Sequence, residues 1–255
     1  MLYNSFSILL WIMIAIAVVV FISLFFVDAG YGKFISPNWG YSIPNKLGWI
    51  FMEAPVAILL IVFWLFSDRQ TMLVPFIFFL FLEIHYVHRA FIFPLLMRGN
   101  SKMPLKIMFM GVFFNLINAF MQGYWIFYLA PKEMYNNAWL KSPKFIIGSL
   151  IFIIGLIINI DSDRRIRNLR SSENNKHYLP QGGIYNYVCS ANYFGEFVEW
   201  LGFAIATWSM SGLVFAIWTF ANLVPRANAI YKKYTLEFSE EMNGKKIKRI
   251  IPFIY

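Results

Sequence analysis

The chain has 255 residues, of which 59% are hydrophobic and only 14% are charged, and its mean hydropathy is +0.58. An ordinary soluble domain carries about 45–50% apolar and about 25% charged residues. The composition of this chain therefore excludes an ordinary soluble domain and indicates that much of the chain faces lipid. The net charge of +9 lies mostly at the ends of apolar segments, which favours a membrane surface over a nucleic-acid partner. The single cysteine, Cys189, excludes an intramolecular disulfide and a cysteine metal cluster.

Apolar segments long enough to cross a bilayer follow one another along the chain, since a spanning helix needs roughly 20 such residues. They lie near residues 8–27, 47–66, 72–96, 105–130, 145–160 and 184–223. The first has no basic stretch and no small-residue cleavage site, so it is predicted to be a retained span. The last is too long for one span, and Ser209-Met210-Ser211-Gly212 divides it. We therefore predict an all-α integral membrane protein with seven transmembrane helices, in a single domain over residues 1–255.

The positions of Lys and Arg predict the orientation of these helices, because cytoplasmic segments are enriched in both residues. With the N-terminus outside, most of the 22 basic residues fall in the inner segments 33–46, 98–106, 164–176 and 226–249. Arg89 falls within a span, and the outer segments hold Arg69, Lys132, Lys141 and Lys144. The pattern predicts a lumenal or periplasmic N-terminus and a cytoplasmic C-terminus. The membrane would be a bacterial inner membrane or the endoplasmic reticulum.

Polar side chains occur inside the predicted helices, where they are costly unless they face a cavity or a partner. Glu53 lies in the second helix, two residues before Pro55. Three further helices carry polar residues spaced three or four apart, which therefore share a face: Glu83, Tyr86 and Arg89; Asn115, Asn118 and Gln122; Asn192, Glu196 and Glu199. Interhelical polar contacts alone would explain any single one of them. Polar stripes on four helices favour a shared polar cavity.

A second concentration of polar residues is predicted on the cytoplasmic side. Residues 159–163 (Asn-Ile-Asp-Ser-Asp) are predicted to end the fifth helix, and an arginine-bearing loop follows, ending in a turn at Pro180-Gln181-Gly182-Gly183. Arginines beside glycine-rich backbone can bind phosphate groups, although a plain positively charged inner loop explains the same residues. The sequence has no G-x-G-x-x-G motif after a strand, no P-loop and no G-x-S-x-G motif. His85 and His88 alone supply too few ligands for a metal site.

Counting along the second and third helices predicts that Glu53 and Tyr86 lie at the same depth. The two helices are joined by a short loop, Ser67–Thr71, and should pack antiparallel. At 1.5 Å per residue, both side chains lie about 21–23 Å from that loop. A carboxyl group and a phenol would then be able to meet one carbonyl oxygen.

Short motifs occur in a specific order along nearly the whole chain. The N-terminal half contains residues 30–33 (Gly-Tyr-Gly-Lys), Glu53 before Pro55, residues 85–89 (His-Tyr-Val-His-Arg) and residues 122–124 (Gln-Gly-Tyr). The C-terminal part contains residues 180–183, 191–196 (Ala-Asn-Tyr-Phe-Gly-Glu), 222–227 (Asn-Leu-Val-Pro-Arg-Ala) and the ending 251–255 (Ile-Pro-Phe-Ile-Tyr). In this combination the chain resembles the steroid 5α-reductase family. Ser190-Ala191-Asn192 stands where the more distant sterol and enoyl-CoA reductases usually have His-Pro, which favours the 5α-reductase branch.

The resemblance implies a seven-helix fold that binds NADPH on its cytoplasmic side and a Δ4-3-oxosteroid in a lipid-accessible cavity. Glu53 and Tyr86 would be catalytic and hold the C3 carbonyl, while Trp49 and Asn118 would line the substrate cavity, formed mainly by residues 1–130. The cofactor site would come mainly from residues 159–255, and its residues would be Gly32, Arg89, Asn159, Asp163, Arg167, Arg170, Asn192, Glu196, Arg226 and Tyr234. The steroid would enter from the bilayer, with no metal, nucleic acid or obligate protein partner.

The implied reaction is conjugate reduction, with hydride added to C5 and a proton to C4. A hydrogen-bond donor at the carbonyl oxygen stabilises the enolate-like charge, and one such donor contributes about 3–4 kcal/mol in a dry site. Tyr86 can be this donor. Burial among apolar side chains disfavours a charged carboxyl group, so Glu53 could also donate as the neutral acid.

Three other functions remain open from the residues. The chain could reduce another lipid enone or enoyl group, such as that of a sterol or a polyprenol. Isoprenylcysteine methyltransferases share a related C-terminal region, so a membrane lipid methyltransferase using S-adenosylmethionine is a second alternative, although it has no obvious task for Glu53 and Tyr86. A transporter or channel lined by the polar stripes is the third.

Overall fold

The computed structural model describes residues 2–27, 39–169 and 178–255. These residues contain seven long helices: α1 Leu2–Ser23, α2 Asn45–Leu65, α3 Leu73–Leu96, α4 Leu105–Leu129, α5 Pro143–Asn168, α6 Ala191–Thr207 and α7 Met210–Glu237. A short helix, α8, covers Ser239–Met242, and 3₁₀ turns cover Asn137–Lys141 and Gly183–Asn186. Six of the seven long helices in the described residues, all but α6, are long and apolar enough to cross a membrane. The chain is therefore an all-α, multi-pass membrane protein.

The sixth helix is shorter than predicted. It has 17 residues, or about 25 Å at 1.5 Å per residue, against a hydrocarbon core of about 30 Å. It begins at Ala191 rather than near residue 184, because Gly183–Asn186 form a 3₁₀ turn and the chain is not helical again until after Ser190. It ends where Trp208 adopts a positive φ of 50°, and Ser209 then caps α7 by accepting a hydrogen bond from the Gly212 N–H. The predicted break at residues 209–212 is confirmed.

Two helices continue well past the ends of their apolar segments. Instead of ending near residue 160, α5 runs to Asn168, so Arg164 and Arg165 lie on a helix and not in a loop. Asp161 accepts hydrogen bonds of 2.6 Å from each of these arginines, and such pairs three and four residues apart stabilise a solvated helix end. The last helix likewise runs to Glu237 instead of ending near residue 223. A hydropathy window detects the part of a helix that lies in lipid and misses its polar continuation into water.

A two-stranded antiparallel ribbon sets the start of α2 against the start of α4. Strand β1 (Ser42–Pro44) pairs with strand β2 (Lys102–Pro104), with Ile43 opposite Met103. Each strand leads directly into its helix, and α2 and α4 then pack side by side. Residues at similar distances from the two helix starts therefore lie at similar depth. Glu53 and Asn115 are such a pair, at about 12 Å and 15 Å along their helices.

Helices α5 and α6 approach each other closely through glycines. A Cβ atom added to Gly155 would lie 2.2 Å from the backbone nitrogen of Glu199, and one added to Gly195 would lie 2.5 Å from that of Asn159. Small residues allow this contact between membrane helices, where packing rather than hydrophobicity drives association. Four glycines form the contact, two per helix and seven residues apart: Gly148 and Gly155, Gly195 and Gly202. The contact brings the polar residues of α5 against those of α6.

The loop between α2 and α3 is anchored by a buried arginine. The last turn of α4, Trp125–Leu129, is π-helical, so its hydrogen bonds shift by one residue and carbonyl groups near its end need other donors. Arg69, which is 4% exposed, donates to the carbonyl oxygens of Ile126 (3.0 Å), Tyr128 (3.2 Å) and Ala130 (2.5 Å). The loop thereby fixes the end of α2, the start of α3 and the end of α4 relative to one another.

Apolar side chains point both inward and outward, as expected of a bundle in lipid. The core between α2, α3, α4 and α6 includes the fully buried side chains of Leu60, Phe78 and Trp200. The first helix packs on the last, where the Trp218 indole N–H donates to the Met13 carbonyl oxygen at 2.7 Å. Outward-facing residues such as Ile154 and Phe113 are exposed, and a bilayer would cover them.

Candidate active site

The two predicted catalytic residues are held by one face of α4. The Asn115 amide donates to Glu53 Oε2 at 3.0 Å and to the Met52 carbonyl oxygen at 2.9 Å. One turn further along α4, the Asn118 amide donates to the Tyr86 hydroxyl oxygen at 2.8 Å. Glu53 and Tyr86 are buried, on α2 and α3 respectively. The structure therefore brings them to neighbouring positions on the same polar stripe, as their predicted common depth requires.

A further amide fixes the direction of the hydrogen bond to Tyr86. Gln122 donates to Asn118 Oδ1 at 3.1 Å and to the Ser211 carbonyl oxygen at 3.0 Å. Because the oxygen of Asn118 faces Gln122, its NH₂ group faces Tyr86. The Tyr86 oxygen accepts, and its own proton remains available for another acceptor.

The second part of the site is centred on the buried guanidinium group of Arg89. It donates at 2.8 Å to Asp163 Oδ2 on α5 and at 2.8 Å to Glu196 Oε2 on α6. Its planar group also lies 5.0 Å from the ring centroids of Trp49 and Phe93, within cation–π range. One arginine thus joins α2, α3, α5 and α6, and its charge is paired with carboxylates in a buried place where an unpaired charge would be costly.

The carboxylate of Asp163 also connects α5 to the start of α6 through a hydrogen bond. Its Oδ1 accepts from the Asn192 amide at 3.1 Å, and the Asn159 amide donates to the Asn192 backbone oxygen at 2.9 Å. Asn159 and Asp163 are one helical turn apart on α5, opposite Asn192 in the first turn of α6. The glycine contact described above makes this short separation possible.

Several buried polar atoms in this region have no hydrogen-bond partner among the described residues. They are Asn159 Oδ1, Ser190 Oγ and the Tyr185 hydroxyl oxygen. Burial raises the pKa of the Tyr185 phenol well above its ordinary value, so this hydroxyl keeps its proton. Buried polar groups are normally paired. Three such groups around one helix start fit a polar ligand.

The remaining predicted cofactor residues surround the same helix start or lie outside the described chain. Arg226 on α7 donates to the Tyr193 hydroxyl oxygen at 3.0 Å and to Asn222 Oδ1 at 3.2 Å. Tyr234 is buried in a cluster with Leu179, Cys189 and Ile247. Arg167 lies half-buried on α5, one turn beyond Asp163, and so shares its face. Gly32 and Arg170 lie outside the described residues.

The structure also pairs residues to which the sequence assigned no role. His85 Nδ1 and Glu199 Oε1 lie 2.8 Å apart, both buried, and the His85 ring packs against Tyr86 and Trp200. Asn115 belongs to the predicted stripe on α4, so its spacing from Asn118 could have identified it. Glu83 is different: its Oε1 has no partner in the described part of the chain, and it does not join the hydrogen-bonded site. Its spacing from Tyr86 and Arg89 therefore places it on their helix without bringing it into this network.

The fold and the site together define a membrane-embedded enzyme, with a buried carboxyl–phenol pair and a polar ligand site. A sequence-family profile described as 3-oxo-5-alpha-steroid 4-dehydrogenase matches residues 101–255. The chain is 34% identical over 244 residues to 3-oxo-5-alpha-steroid 4-dehydrogenase 1 of Bos taurus, covering 94% of this chain and 93% of the relative. It is 36% identical over 256 residues to steroid 5-alpha-reductase DET2 of Solanum lycopersicum, covering 99% and 98% of the two chains. The chain belongs to the steroid 5-alpha-reductase family and is an oxidoreductase acting on a CH–CH group.

Proposed function

We propose that the protein reduces the Δ4 double bond of 3-oxosteroids with NADPH and releases 5α-reduced 3-oxosteroids. The observation that carries this proposal is the hydrogen bond from Asn118 to the Tyr86 oxygen, which leaves the Tyr86 proton free one turn along α4 from the bond between Asn115 and Glu53. A carbonyl oxygen is the acceptor that such a pair suits. The relatives are named as steroid dehydrogenases and reductases, from an animal and a plant. These names support a 3-oxosteroid as the molecule that carries this carbonyl group.

The task of the chain's own residues is to polarise the enone. The carbon at C5 becomes electrophilic only to the extent that charge is drawn to the C3 oxygen. A hydrogen bond from Tyr86 stabilises the charge that develops on this oxygen, and the dry surroundings increase its effect. Glu53, held by Asn115, is the second group at the oxygen. The enolate then takes up a proton at C4, which regenerates the C3 ketone.

The polar site beyond Arg89 fits a nicotinamide dinucleotide. Its unpaired groups include an acceptor, Asn159 Oδ1, which suits a ribose hydroxyl, and donors at Ser190 and Tyr185. Arg89, Asp163, Asn192, Glu196, Arg226 and Tyr234 would hold the cofactor, with Arg167 near its phosphates. NADPH supplies the hydride when it is bound. The protein aligns the two partners and excludes water.

The arrangement in the membrane is part of the proposal. We expect α1 to α7 all to cross the bilayer, with the N-terminus outside and the C-terminus in the cytoplasm. In this orientation the cofactor reaches its site from the cytoplasm, while the steroid enters from the lipid. Either the endoplasmic reticulum or a bacterial inner membrane is compatible with this arrangement, and the reaction needs no partner protein.

The function is tested on membranes that contain the expressed chain. Incubation with NADPH and progesterone or testosterone should give a product heavier by two hydrogen atoms, identified as the 5α isomer by chromatography and mass spectrometry. Membranes without the chain, and reactions without NADPH, are the controls. Consumption of a sterol or polyprenol but of neither steroid would contradict the substrate class. Failure of the purified protein to bind NADPH would contradict the reductase itself.

A further inference from the structure

The start of α6 is a buried helix end that does not use its own capping residue. Ser190 occupies the N-cap position, where a serine normally accepts a hydrogen bond from the second or third N–H of the helix. Here its side chain makes no such bond, and its Oγ, in a residue only 1% exposed, has no partner among the described residues. The first N–H groups of a helix have no partner within the helix. The first N–H groups of α6 are therefore hydrogen-bond donors near the unpaired Ser190 hydroxyl.

A second unpaired hydroxyl comes from a different element that packs on the start of α6. Tyr185, in the 3₁₀ turn Gly183–Asn186, is 2% exposed and packs with Val188 and Ala191. Its hydroxyl has no partner within the described chain, and it lies beside the backbone N–H of Asn192 without reaching hydrogen-bonding geometry. Burial raises the pKa of this hydroxyl most, and Asp163, Tyr234 and Tyr193 are near enough to act electrostatically on it and help to raise its pKa.

We propose that the Tyr185 and Ser190 hydroxyls bind a phosphate group of the dinucleotide cofactor. The two hydroxyls and the backbone N–H groups at the start of α6 are hydrogen-bond donors, and phosphate oxygens accept. The positive end of the helix dipole adds attraction for an anion. The inference rests on the proposed function and deepens it, because it assigns the donors at Tyr185 and Ser190 to one chemical group of the cofactor, a phosphate.

Cofactor binding to the detergent-purified protein is the first test, measured by quenching of tryptophan fluorescence. Tyr185→Phe and Ser190→Ala should each raise the Kd for NADPH about tenfold, as expected for loss of a hydrogen bond to a charged group. Tyr187→Phe is the matched control, because Tyr187 is exposed and packs on Phe253 two residues further along the same segment. A parallel titration with NADH identifies the phosphate. An equal loss for both cofactors indicates the bridging diphosphate, and a loss for NADPH alone indicates the 2′-phosphate.

Thermal unfolding separates this role from a structural one. Without cofactor, Tyr185→Phe should leave the melting temperature unchanged or raise it, since it removes an unpaired buried hydroxyl. With saturating NADPH, the rise in melting temperature should be smaller than in the unmodified chain. A lower melting temperature without cofactor, together with an unchanged Kd, would show that the hydroxyl only supports the fold and would overturn the inference. If the unmodified chain bound no NADPH, the proposed function would fail instead.

Discussion

Tyr86 and Glu53 are both held by amide groups of α4, but the two bonds leave different groups available. Asn118 donates to the Tyr86 oxygen, and Asn115 donates to Glu53 Oε2. A tyrosine that accepts one hydrogen bond still has its own proton to give. A carboxyl group can donate only in its neutral form. In the proposed reaction Tyr86 is therefore the donor that would always be present at the substrate carbonyl, and Glu53 would add to it.

Removing the Tyr86 hydroxyl should affect turnover more than cofactor binding. Tyr86→Phe keeps the ring packed against Trp200 and removes only the donor, so kcat should fall by about 100-fold or more. Steady-state kinetics with a Δ4-3-oxosteroid and NADPH titration measure the two effects. Tyr124→Phe is the control, since this tyrosine stacks with Phe120 and Tyr128 away from the site. Normal turnover in Tyr86→Phe would remove Tyr86 from the mechanism.

Glu53 should tolerate an amide better than a truncation. Glu53→Gln keeps an acceptor for Asn115 and always offers a donor, whereas Glu53→Ala leaves the buried Asn115 amide with one partner fewer. We expect kcat/KM to fall less in Glu53→Gln than in Glu53→Ala, with unchanged affinity for NADPH in both. Equal losses in the two variants would mean that the negative charge of Glu53 is what the reaction uses.

At the scale of elements, the contact between α5 and α6 controls the geometry of the proposed cofactor site. The glycines at this contact let Asn159 and Asp163 of one helix meet Asn192 of the other. The same approach puts Glu199 within reach of His85 on α3. A wider separation of the helices would break these contacts together, because both helices are rigid.

An alanine at Gly155 should therefore be destabilising. Its Cβ would lie 2.2 Å from the backbone nitrogen of Glu199, and backbone atoms can move aside only if the helices separate. We expect Gly155→Ala to cost about 1–3 kcal/mol and lower the melting temperature by several degrees. Gly111→Ala is the matched control, because its Cβ would meet the flexible end of the Met52 side chain. Similar melting temperatures for the two variants would contradict the role of close backbone packing.

For the whole molecule, the question is whether α6 crosses the bilayer. Its 17 residues are at the lower limit of a spanning helix, while α4, α5 and α7 are clearly long enough. If α6 crosses, the loop before α5 and the tail after α7 lie on opposite sides. If it does not, they lie on the same side.

Labelling with a membrane-impermeant thiol reagent answers this question. The chain has one cysteine, Cys189, which is buried, so it can be replaced by alanine as a background. With this background expressed in a bacterial inner membrane, Lys132→Cys, before α5, should react in intact cells, and Lys245→Cys, after α7, only after permeabilisation. Both positions are exposed. Reaction of both from the same side would rule out seven spans.

Much of this protein follows from its sequence, because the underlying signals are local. Long apolar segments and polar stripes with helical spacing depend only on neighbouring residues, so they predicted the helices and the polar faces of α3, α4 and α6. The common depth of Glu53 and Tyr86 also followed from counting along two helices joined by a short loop.

Only the tertiary structure decided which polar groups meet. Asn115 and Glu53 are 62 residues apart, and His85 and Glu199 are 114 residues apart, so their pairing depends on how the helices rotate and approach. The polar continuation of α5 to Asn168 depends on ion pairs that a hydropathy pattern does not register. The hydroxyls of Tyr185 and Ser190 lie in a segment whose apolar composition resembles the helix after it. That these hydroxyls are buried without a hydrogen-bond partner depends on the elements that pack around them. The sequence of one segment cannot show it, because burial is a property of the packed chain.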